Sequence, residues 1–281
     1  MIFILVPTFD RVKETKFFLE SLNNSIKKEY KVILIDDHPD KITFKNIQQT
    51  NNIKIVSSKK ELWWVGSINL GIQNLIDEHN LSDDDIVVFA NNDIQIDRNC
   101  FDLLCKELKK DIKQIVHPRT FDQNDFEVSS GAKIISFFPY ITRHPKHFKT
   151  YKKMIHMGTA RFLMMSGHVL KKVGYINKNL IQYGGDNDFT LTANRLYDIK
   201  TYILRDAICK LEDSVTGIKN QNIKSMSELF KSFSSIKSPN NIKYRYILFK
   251  KFFGNLGAFF ITMSMSLNTV VKFVLKKLYE R

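Results

Sequence analysis

Cysteine is scarce in this sequence: the 281 residues contain three, and none of their spacings is that of a metal site. Since an odd number of thiols cannot all pair, we expect free cysteines and a reducing cytosol. The amino terminus lacks the basic segment of a signal peptide, and its apolar run meets Pro7 too soon, so we predict a first strand there. Internal repeats and low-complexity blocks are also missing. These absences leave a globular chain with 43% apolar residues, long enough to bury a full core.

Acidic residues are outnumbered by basic ones, and the imbalance is uneven. The formal net charge is +14, and residues 214–281 carry 12 basic but only 2 acidic side chains. A second zone, residues 141–178, has nine Lys or Arg and no acid. Such zones indicate an anionic partner: a phosphate-bearing substrate, an acidic lipid surface or a nucleic acid. No helix-turn-helix, zinc module or aromatic RNA-binding platform accompanies the charge, so a nucleic-acid binder is not favoured.

The most informative stretch is residues 87–97. Its first four residues are apolar and rich in β-branched or aromatic side chains, which predicts a buried strand ending at Asn91, Asn92 and Asp93. Open α/β sheets bind ligands at the carboxyl ends of such strands. One carboxylate flanked by amides holds a metal poorly alone, but a diphosphate that supplies further oxygens makes it suitable for Mg²⁺ or Mn²⁺. The alternative is a simple turn, for which this composition is also typical.

Strand and helix patterns alternate along the chain. Apolar strand patterns occupy residues 2–6, 31–35, 53–56, 87–90, 114–116, 162–165 and 200–204. Helical patterns occupy residues 13–28, 63–78, 101–110, 168–173 and 189–196. This alternation predicts a mostly parallel, doubly wound α/β sheet flanked by helices, with the polar strand ends along one edge. Residues 122–153 have an ambiguous pattern, typical of either a sheet extension or a mobile loop over the site.

Five motifs in a fixed order carry a resemblance to a known family. They are Val-Pro-Thr-Phe-Asp-Arg at residues 6–11, Asp36-Asp37, the segment 63–71 that opens a helix, Asn91-Asn92-Asp93, and Gly-Asp-Asn-Asp-Phe at residues 185–189. As an ordered set, they resemble the inverting nucleotide-sugar glycosyltransferases of family 2, of the kind acting in bacterial surface polysaccharide synthesis. The resemblance covers about residues 1–217 and implies the GT-A fold.

The resemblance assigns the nucleotide and metal sites by position. Pro7 and Thr8 would lie along the nucleoside, and Asp36 and Asp37 would bind its base and ribose. Asp93 would be the metal ligand beside the diphosphate, because Asn91-Asn92-Asp93 stands where the family has its Asp-x-Asp signature. The remaining donor-site residues implied by the resemblance are Trp64, Gly66, Asn69 and Asn92.

Two carboxylates at the start of a later helix match the catalytic motif. Asp186 matches the general base, and Asp188 would orient the acceptor or that base. Inversion needs one in-line displacement at the anomeric carbon, with a base that deprotonates the acceptor hydroxyl. The metal would neutralise the charge that develops on the leaving diphosphate. The alternative for both residues is a helix N-cap and a first-turn acid, which that position also favours.

Two departures from the family pattern concern the metal. Many members place a His after the last strand, whereas residues 207–214 contain none, which leaves Lys210, Glu212 or Asp213 as replacements. In addition, Asn91 takes the place of the first carboxylate of the signature. Both changes predict a metal site with fewer protein ligands than is usual in the family.

We therefore predict a GT-A catalytic domain at residues 1–217, with a nucleotide-sugar half at about 1–97 and an acceptor half at about 98–217. A basic, amphipathic helical tail follows at 218–281. Within it, residues 252–271 run twenty residues without a charge, enough to span a bilayer, but Asn, Gly, Ser and Thr dilute them. Interfacial helices flanked by bases fit better. A helical cap, an oligomer contact and a true membrane span are the alternatives.

The expected function is inverting transfer of a hexosyl or deoxyhexosyl group from a nucleotide-diphosphate sugar to a glycan or lipid-linked acceptor. We expect a divalent cation, a cytoplasmic location at the inner face of the cell membrane, and peripheral membrane contact through the tail. One alternative is a nucleotidyltransferase, although residues 7–9 lack a Gly-rich phosphate loop. Another is a catalytically silent relative that only binds a nucleotide sugar.

Overall fold

A computed structural model describes residues 1–212 and 223–279. In chain order the elements are β1 (Ile2–Thr8), α1 (Val12–Ser25), β2 (Lys31–Asp36), α2 (Ile42–Asn46), β3 (Ile53–Ser57), α3 (Trp63–Glu78), β4 (Ile86–Ala90), β5 (Ile94–Ile96), α4 (Cys100–Leu108), β6 (Gln114–Phe121), β7 (Glu127–Val128), β8 (Gly131–Phe137), β9 (Tyr140–Arg143), β10 (Lys152–Ile155), β11 (Met157–Gly158), β12 (Phe162–Ser166), α5 (Gly167–Val173), α6 (Gly185–Tyr197), β13 (Lys200–Leu211), α7 (Met226–Ser232) and α8 (Ile242–Tyr279).

The large sheet has the strand order β10-β13-β6-β12-β4-β1-β2-β3, with β5 paired to β13 and β7 paired to β6. The block β4-β1-β2-β3 is parallel throughout, and β6 is parallel to β13. Between these blocks lies β12, antiparallel to both β4 and β6. The predicted α/β class with a mostly parallel sheet is confirmed, and one reversed strand occupies its middle.

Helices cover both faces of the sheet, which explains why its central strands are apolar at every position. Leu5 and Phe89 belong to the core on one face, which includes side chains of α3. Ile4 and Val88 belong to the core on the other face, which includes side chains of α1 and α4. Complete burial of one such side chain stabilises the fold by about 1.5–3 kcal/mol. Because the central strands bury many of them, the positions of their carboxyl ends are fixed by the core.

Three local outcomes refine the sequence predictions. Residues 122–153 form strands: β7 and β10 extend the large sheet. The other two strands of this range, β8 and β9, form a separate three-stranded sheet with the following β11. The last strand continues past Leu204, through a register shift, to Leu211, because it also pairs with β5. The helix expected at residues 189–196 starts earlier, at Gly185, so both carboxylates of the Gly-Asp-Asn-Asp motif lie in its first turn.

The C-terminal appendage consists of α7 and α8. A break at Gly254, with φ 65° and ψ −171°, divides α8 into two segments. The first segment buries Tyr244, Leu248 and Phe249 in the core. Among the described helices, α8 is the one long and apolar enough, by length and composition, to cross a membrane. The proposed boundary at residue 217 lies outside the described residues, so the division into two domains stays a prediction.

Candidate functional site

The carboxyl ends of β1, β2 and β4 meet at one edge of the sheet, as parallel pairing requires. Thr8 stands in register with Asp36, and Asn91 directly follows β4. The first turns of α3 and α6 come to the same edge.

The end of β2 is tied to α2 through Asp36. The buried Asp36 carboxylate accepts hydrogen bonds from the backbone N–H of Phe44 at 2.8 Å and of His38 at 3.3 Å. The Thr8 hydroxyl donates to the Ile35 carbonyl at 3.1 Å and accepts a hydrogen bond from Thr43 at 2.9 Å. Both predicted nucleoside-site residues therefore hold the strand ends together as well as lying at the expected edge.

Asp37 caps α3. Its carboxylate accepts hydrogen bonds from the backbone N–H groups of Leu62 and Trp63, the latter at 2.7 Å. Burial raises the pKa of this carboxyl to about 6, although the two N–H groups act to lower it. A negative charge at a helix N-terminus is electrostatically favourable, so Asp37 fixes where α3 begins.

Trp64 joins three parts of the edge. Its indole Nε1 donates to Asn91 Oδ1 at 3.2 Å, and its backbone N–H donates to Gln182 Oε1 at 3.1 Å. A Cβ added at Gly185 would lie 3.0 Å from the Trp64 ring and 2.5 Å from Val65, so only glycine allows this approach. Of the two adjacent tryptophans, Trp64 thus lies between the end of β4 and the start of α6.

Asn69 and Gly66 have structural contacts in α3. The Asn69 amide donates to the Ile176 carbonyl and accepts from the Ile176 N–H, both at 2.9 Å. At Gly66 an added Cβ would lie 2.9 Å from Cβ of Leu62. Their assignment to the donor site stays a prediction, and the Asn69 amide is already committed to the segment before α6.

After β4, Asn92 and Asp93 turn in different directions. The Asn92 amide is buried and donates to the Thr15 hydroxyl at 2.8 Å. Asp93 Oδ2 forms an ion pair with Arg11 Nη1 at 3.3 Å, and the Asp93 carbonyl accepts from the Glu212 N–H at 2.9 Å. Burial raises the pKa of the Glu212 carboxyl, the negative charges of Glu14 and Asp93 add to the rise, and the positive charge of Lys13 opposes it.

Asp186 lies in the first turn of α6, where its carboxylate accepts the Asn187 N–H at 2.8 Å. Burial raises its pKa, while the backbone N–H groups of Asn187 and Ala160 and the charge of Arg161 lower it. A carboxyl group whose pKa is raised is, in its ionised form, a stronger base than an ordinary aspartate.

Arg161 stands between the two acidic motifs. It immediately precedes β12, where its carbonyl accepts the Asn91 N–H at 3.1 Å and its Nη1 donates to the Ser129 carbonyl. Burial lowers the pKa of its guanidinium, while the charges of Asp93 and Asp186 act to raise it. The half-buried Arg161 is therefore within electrostatic reach of both carboxylates, although Asp93 and Asp186 are distant in sequence.

A family model described as "Glycosyl transferase family 2" matches residues 3–174, more than half of the chain. The chain belongs to glycosyl transferase family 2. A comparison with curated proteins finds no match. The fold shared with solved GT-A glycosyltransferases agrees with this membership.

Two solved structures show the fold that this family 2 protein shares. A crystal structure of GalNAc-T7 with UDP, GalNAc and Mn²⁺ matches with a TM-score of 0.60 and 10% identity, over 75% of this chain and 44% of that chain. A crystal structure of S. aureus TarS residues 1–349 matches with a TM-score of 0.51 and 13% identity, over 89% of this chain and 72% of that chain. The family 2 chain thus spans less than half the length of the GalNAc-T7 chain.

Few carboxylates are available to hold a metal ion at this edge of the sheet. Within residues 1–212 and 223–279, no group of three or more His, Cys, Asp or Glu side chains stands together to hold a metal ion. Asp93, with Glu212 as its neighbour, fits a divalent cation only if a diphosphate supplies further oxygens. Lys210 is paired with Asp125 at 2.8 Å instead. Asp213, another predicted replacement for the missing His, lies outside the described residues.

Two charged residues near the candidate site were missed by the sequence predictions. Arg161 could not be placed, because no periodicity shows that β12 pairs with the end of β4. Lys251 lies on α8 and reaches the carboxylate of Asp188, which is buried and accepts the Asn177 N–H at 3.2 Å. A basic residue before an apolar strand, and one within a basic tail, carried no signal that distinguished them from surface charges.

Proposed function

We propose that this protein is an inverting glycosyltransferase that moves a hexosyl or deoxyhexosyl group from a nucleotide-diphosphate sugar to a hydroxyl of a glycan or lipid-linked acceptor. The observation that carries the proposal is the cluster of Asp186, Arg161 and Asp93. The Asp186 carboxyl, with its raised pKa, is within electrostatic reach of the half-buried Arg161, whose backbone carbonyl accepts the Asn91 N–H just after β4. The family membership supplies the reaction class.

The chemistry follows from the charges of this cluster. The Asp186 carboxylate takes the proton of the acceptor hydroxyl as the acceptor oxygen bonds to the anomeric carbon. The bond from that carbon to the diphosphate breaks at the same time, and the nucleoside diphosphate leaves with the electron pair. Arg161 is suited to offset the negative charge that grows on the leaving group, which is a major source of catalysis in such sites. No covalent sugar-enzyme intermediate is needed.

We further propose that Mg²⁺ or Mn²⁺ binds together with the donor, with Asp93 as the protein ligand and Glu212 beside it. The cation would add positive charge at the diphosphate. The remaining donor-site assignments, Pro7, Thr8, Asp36, Asp37, Trp64, Gly66, Asn69 and Asn92, are proposed as the walls of the nucleotide-sugar pocket. Calorimetry of donor binding with and without Mn²⁺, in wild type and Asp93→Ala, tests the metal. Equal donor affinity in all four titrations would remove Asp93 from this role.

The variant Asp186→Asn tests the reaction. General-base assistance is worth about 10²–10⁴-fold, so the variant should lose that much in kcat while donor affinity stays within about twofold. The matched control is Asp198→Asn, an exposed acid at the end of the same helix, paired with Lys200. Unchanged turnover in Asp186→Asn would end its assignment as the base, and product NMR would test inversion. Donor binding without transfer or hydrolysis would favour the silent relative, and nucleotide transfer the nucleotidyltransferase.

We also propose that α8 rests on the inner face of the cell membrane, which suits a lipid-linked acceptor. One side of its second segment is a stripe of apolar side chains, each at least 42% exposed: Leu256, Phe259, Phe260, Met263, Leu267, Val271, Val274 and Leu278. The whole helix has seven Lys or Arg and no acidic residue, which favours anionic lipid over a second copy of the chain.

Vesicle flotation tests this contact. Wild-type protein should float with vesicles that contain anionic lipid. It should remain in the bottom fraction when the vesicles are neutral or the salt concentration is high. Phe259→Ser/Phe260→Ser should not float, whereas Phe126→Ser, an exposed phenylalanine far from α8 in the chain, should behave as wild type. A self-associating wild type that ignores vesicles would favour the oligomer contact instead.

A further inference from the structure

The first segment of α8 is in contact with the helix that carries the proposed base. Lys251 lies one turn before the break at Gly254, and its Nζ donates to the Thr192 hydroxyl at 2.7 Å. The same Nζ lies 3.8 Å from Asp188 Oδ1. Asp188 and Thr192 are four residues apart on α6 and therefore share one face of that helix. The C-terminal appendage thus places a cation against the helix of Asp186.

Asp188 is a costly residue to bury. Its side chain is 2% exposed, and Oδ2 accepts the Asn177 N–H at 3.2 Å. Oδ1 accepts no hydrogen bond from any residue that the structure describes, which leaves the Lys251 ammonium as its nearest counter-charge. Burial raises the pKa of Asp188, whereas Lys251 and the Asn177 N–H lower it. A buried carboxylate without such a partner tends to take up a proton instead.

A second contact joins the same two helices near the C-terminus of α6. The Arg195 guanidinium lies 4.8 Å from the ring centre of Phe253 and 5.1 Å from that of Phe137. The two rings are themselves 4.5 Å apart. Stacking on aromatic rings holds a guanidinium in one orientation. α6 is therefore in contact with α8 both at residues 188–192 and at Arg195, so the first segment of α8 is packed against the helix of Asp186.

We infer that Lys251 is a positioning residue for the transfer reaction, which keeps Asp188 ionised and so holds the first turn of α6, with Asp186, in its working orientation. The inference rests on the proposed function of Asp186. The link runs through Asn177, because Asp188 binds its N–H and thereby anchors the segment that leads into α6. Gln182, in that segment, accepts the Trp64 N–H at the site edge. From α8, the charged group that faces Asp188 is Lys251.

The variants Lys251→Met and Lys251→Arg test the inference against the matched control Lys250→Met. Lys250 is the adjacent lysine of α8, with its Nζ 5.9 Å from the Tyr246 ring centre. In Lys251→Met, kcat should fall about tenfold at pH 7, with KM for the donor within about twofold. The acid limb of the kcat profile should also move to higher pH, because Asp188 loses the neighbouring positive charge that favours its ionised form. Lys251→Arg should restore most of the activity, and Lys250→Met should match wild type.

A cycle with Asp188→Asn separates positioning from general packing. If Lys251 acts through Asp188, the double variant should lose no more activity than Asp188→Asn alone, because coupled residues are not additive. Multiplicative losses, or a Lys251→Met profile that keeps its acid limb, would overturn the inference.

A readout without turnover keeps the inference distinct from the proposed function. The difference in thermal stability between wild type and Lys251→Met should grow as pH rises from 4 to 7, because Asp188 then ionises without its partner. The Asp188→Asn background should abolish that dependence. If wild type shows no transfer, the proposed function fails, while the stability series still decides whether Lys251 and Asp188 are coupled. A pH-independent difference would end the inference.

Discussion

The acidic residues at the end of β2 and those at the start of α6 reach one sheet edge, but they differ in their hydrogen-bond partners. Asp36 and Asp37 both accept backbone N–H groups from neighbouring helices, which makes them part of the connections that build the edge. Asp186 accepts an N–H from its own turn, within electrostatic reach of Arg161. If Asp186 is the base, as we propose, the partners of a carboxylate at this edge distinguish residues that hold the edge together from those that carry the chemistry.

Besides the loss proposed for Asp186→Asn, a large effect on kcat is expected at Arg161. If the α6 side of the edge carries the chemistry, Arg161→Met should lower kcat by about 10²–10³-fold, the usual loss for one electrostatic contact to a developing charge. Arg161→Lys should keep part of the rate because it keeps the charge. Arg143→Met, which removes an exposed arginine of β9, is the control. Assays of sugar transfer at saturating donor measure kcat for these variants and wild type. A normal kcat in Arg161→Met would contradict the assignment of the chemistry to the α6 side of the edge.

The parts of the fold that the sequence predicted are those with local signals. The bounds of α3 match the predicted residues 63–78, and β4 matches 87–90 to within one residue, because helical and strand periodicity are properties of neighbouring residues. The reversed pairing of β12, and with it Arg161, depends on which distant strand lies alongside. No periodicity contains that information.

The candidate site divides in the same way. The ordered motifs pointed to the acidic segments around Asp93 and Asp186, both of which lie within electrostatic reach of Arg161. They could not show that Asn69 uses both polar groups of its amide on Ile176, or that Asp188 is paired with a lysine of the appendage. Both contacts join segments that are far apart in the chain, so only the packed fold determines them.

A medium effect is expected at Asn69, which tests how far α3 belongs to assembly. Asn69→Ala leaves the N–H and carbonyl of Ile176 without their partner, which should lower the free energy of unfolding by about 1–3 kcal/mol. Asn74→Ala is the control on the same helix, since the Asn74 amide bonds only to the exposed Glu78 side chain. Chemical denaturation measures the difference. A donor Kd raised more than stability predicts would instead return Asn69 to the donor site.

The smallest effect concerns Asp37, and its sign is set by linkage. The folded-state pKa is raised to about 6 by burial, above the ordinary value of 3.8, so between these pH values the folded protein binds more protons than the unfolded chain. The contribution of Asp37 to stability is therefore fully present below about pH 4 and is lost as pH rises through 6. In Asp37→Asn this loss should disappear, while stability at pH 7 changes by about 1 kcal/mol or less, since one acceptor is removed and one buried charge is relieved.

Denaturation of wild type and Asp37→Asn from pH 4 to 7 measures this difference, with the exposed Asp40→Asn as the control. Because other carboxyl groups titrate in both proteins, only the difference between the two curves reports Asp37. If the stability of wild type relative to Asp37→Asn falls steadily from pH 4 to 7, Asp37 would belong with the residues that hold the end of β2 in place, despite its raised pKa. If the stability difference between the two proteins does not change with pH and Asp37→Asn loses donor binding, Asp37 would instead be a donor-binding residue. Asp36 would then be the one acid of this pair that serves assembly.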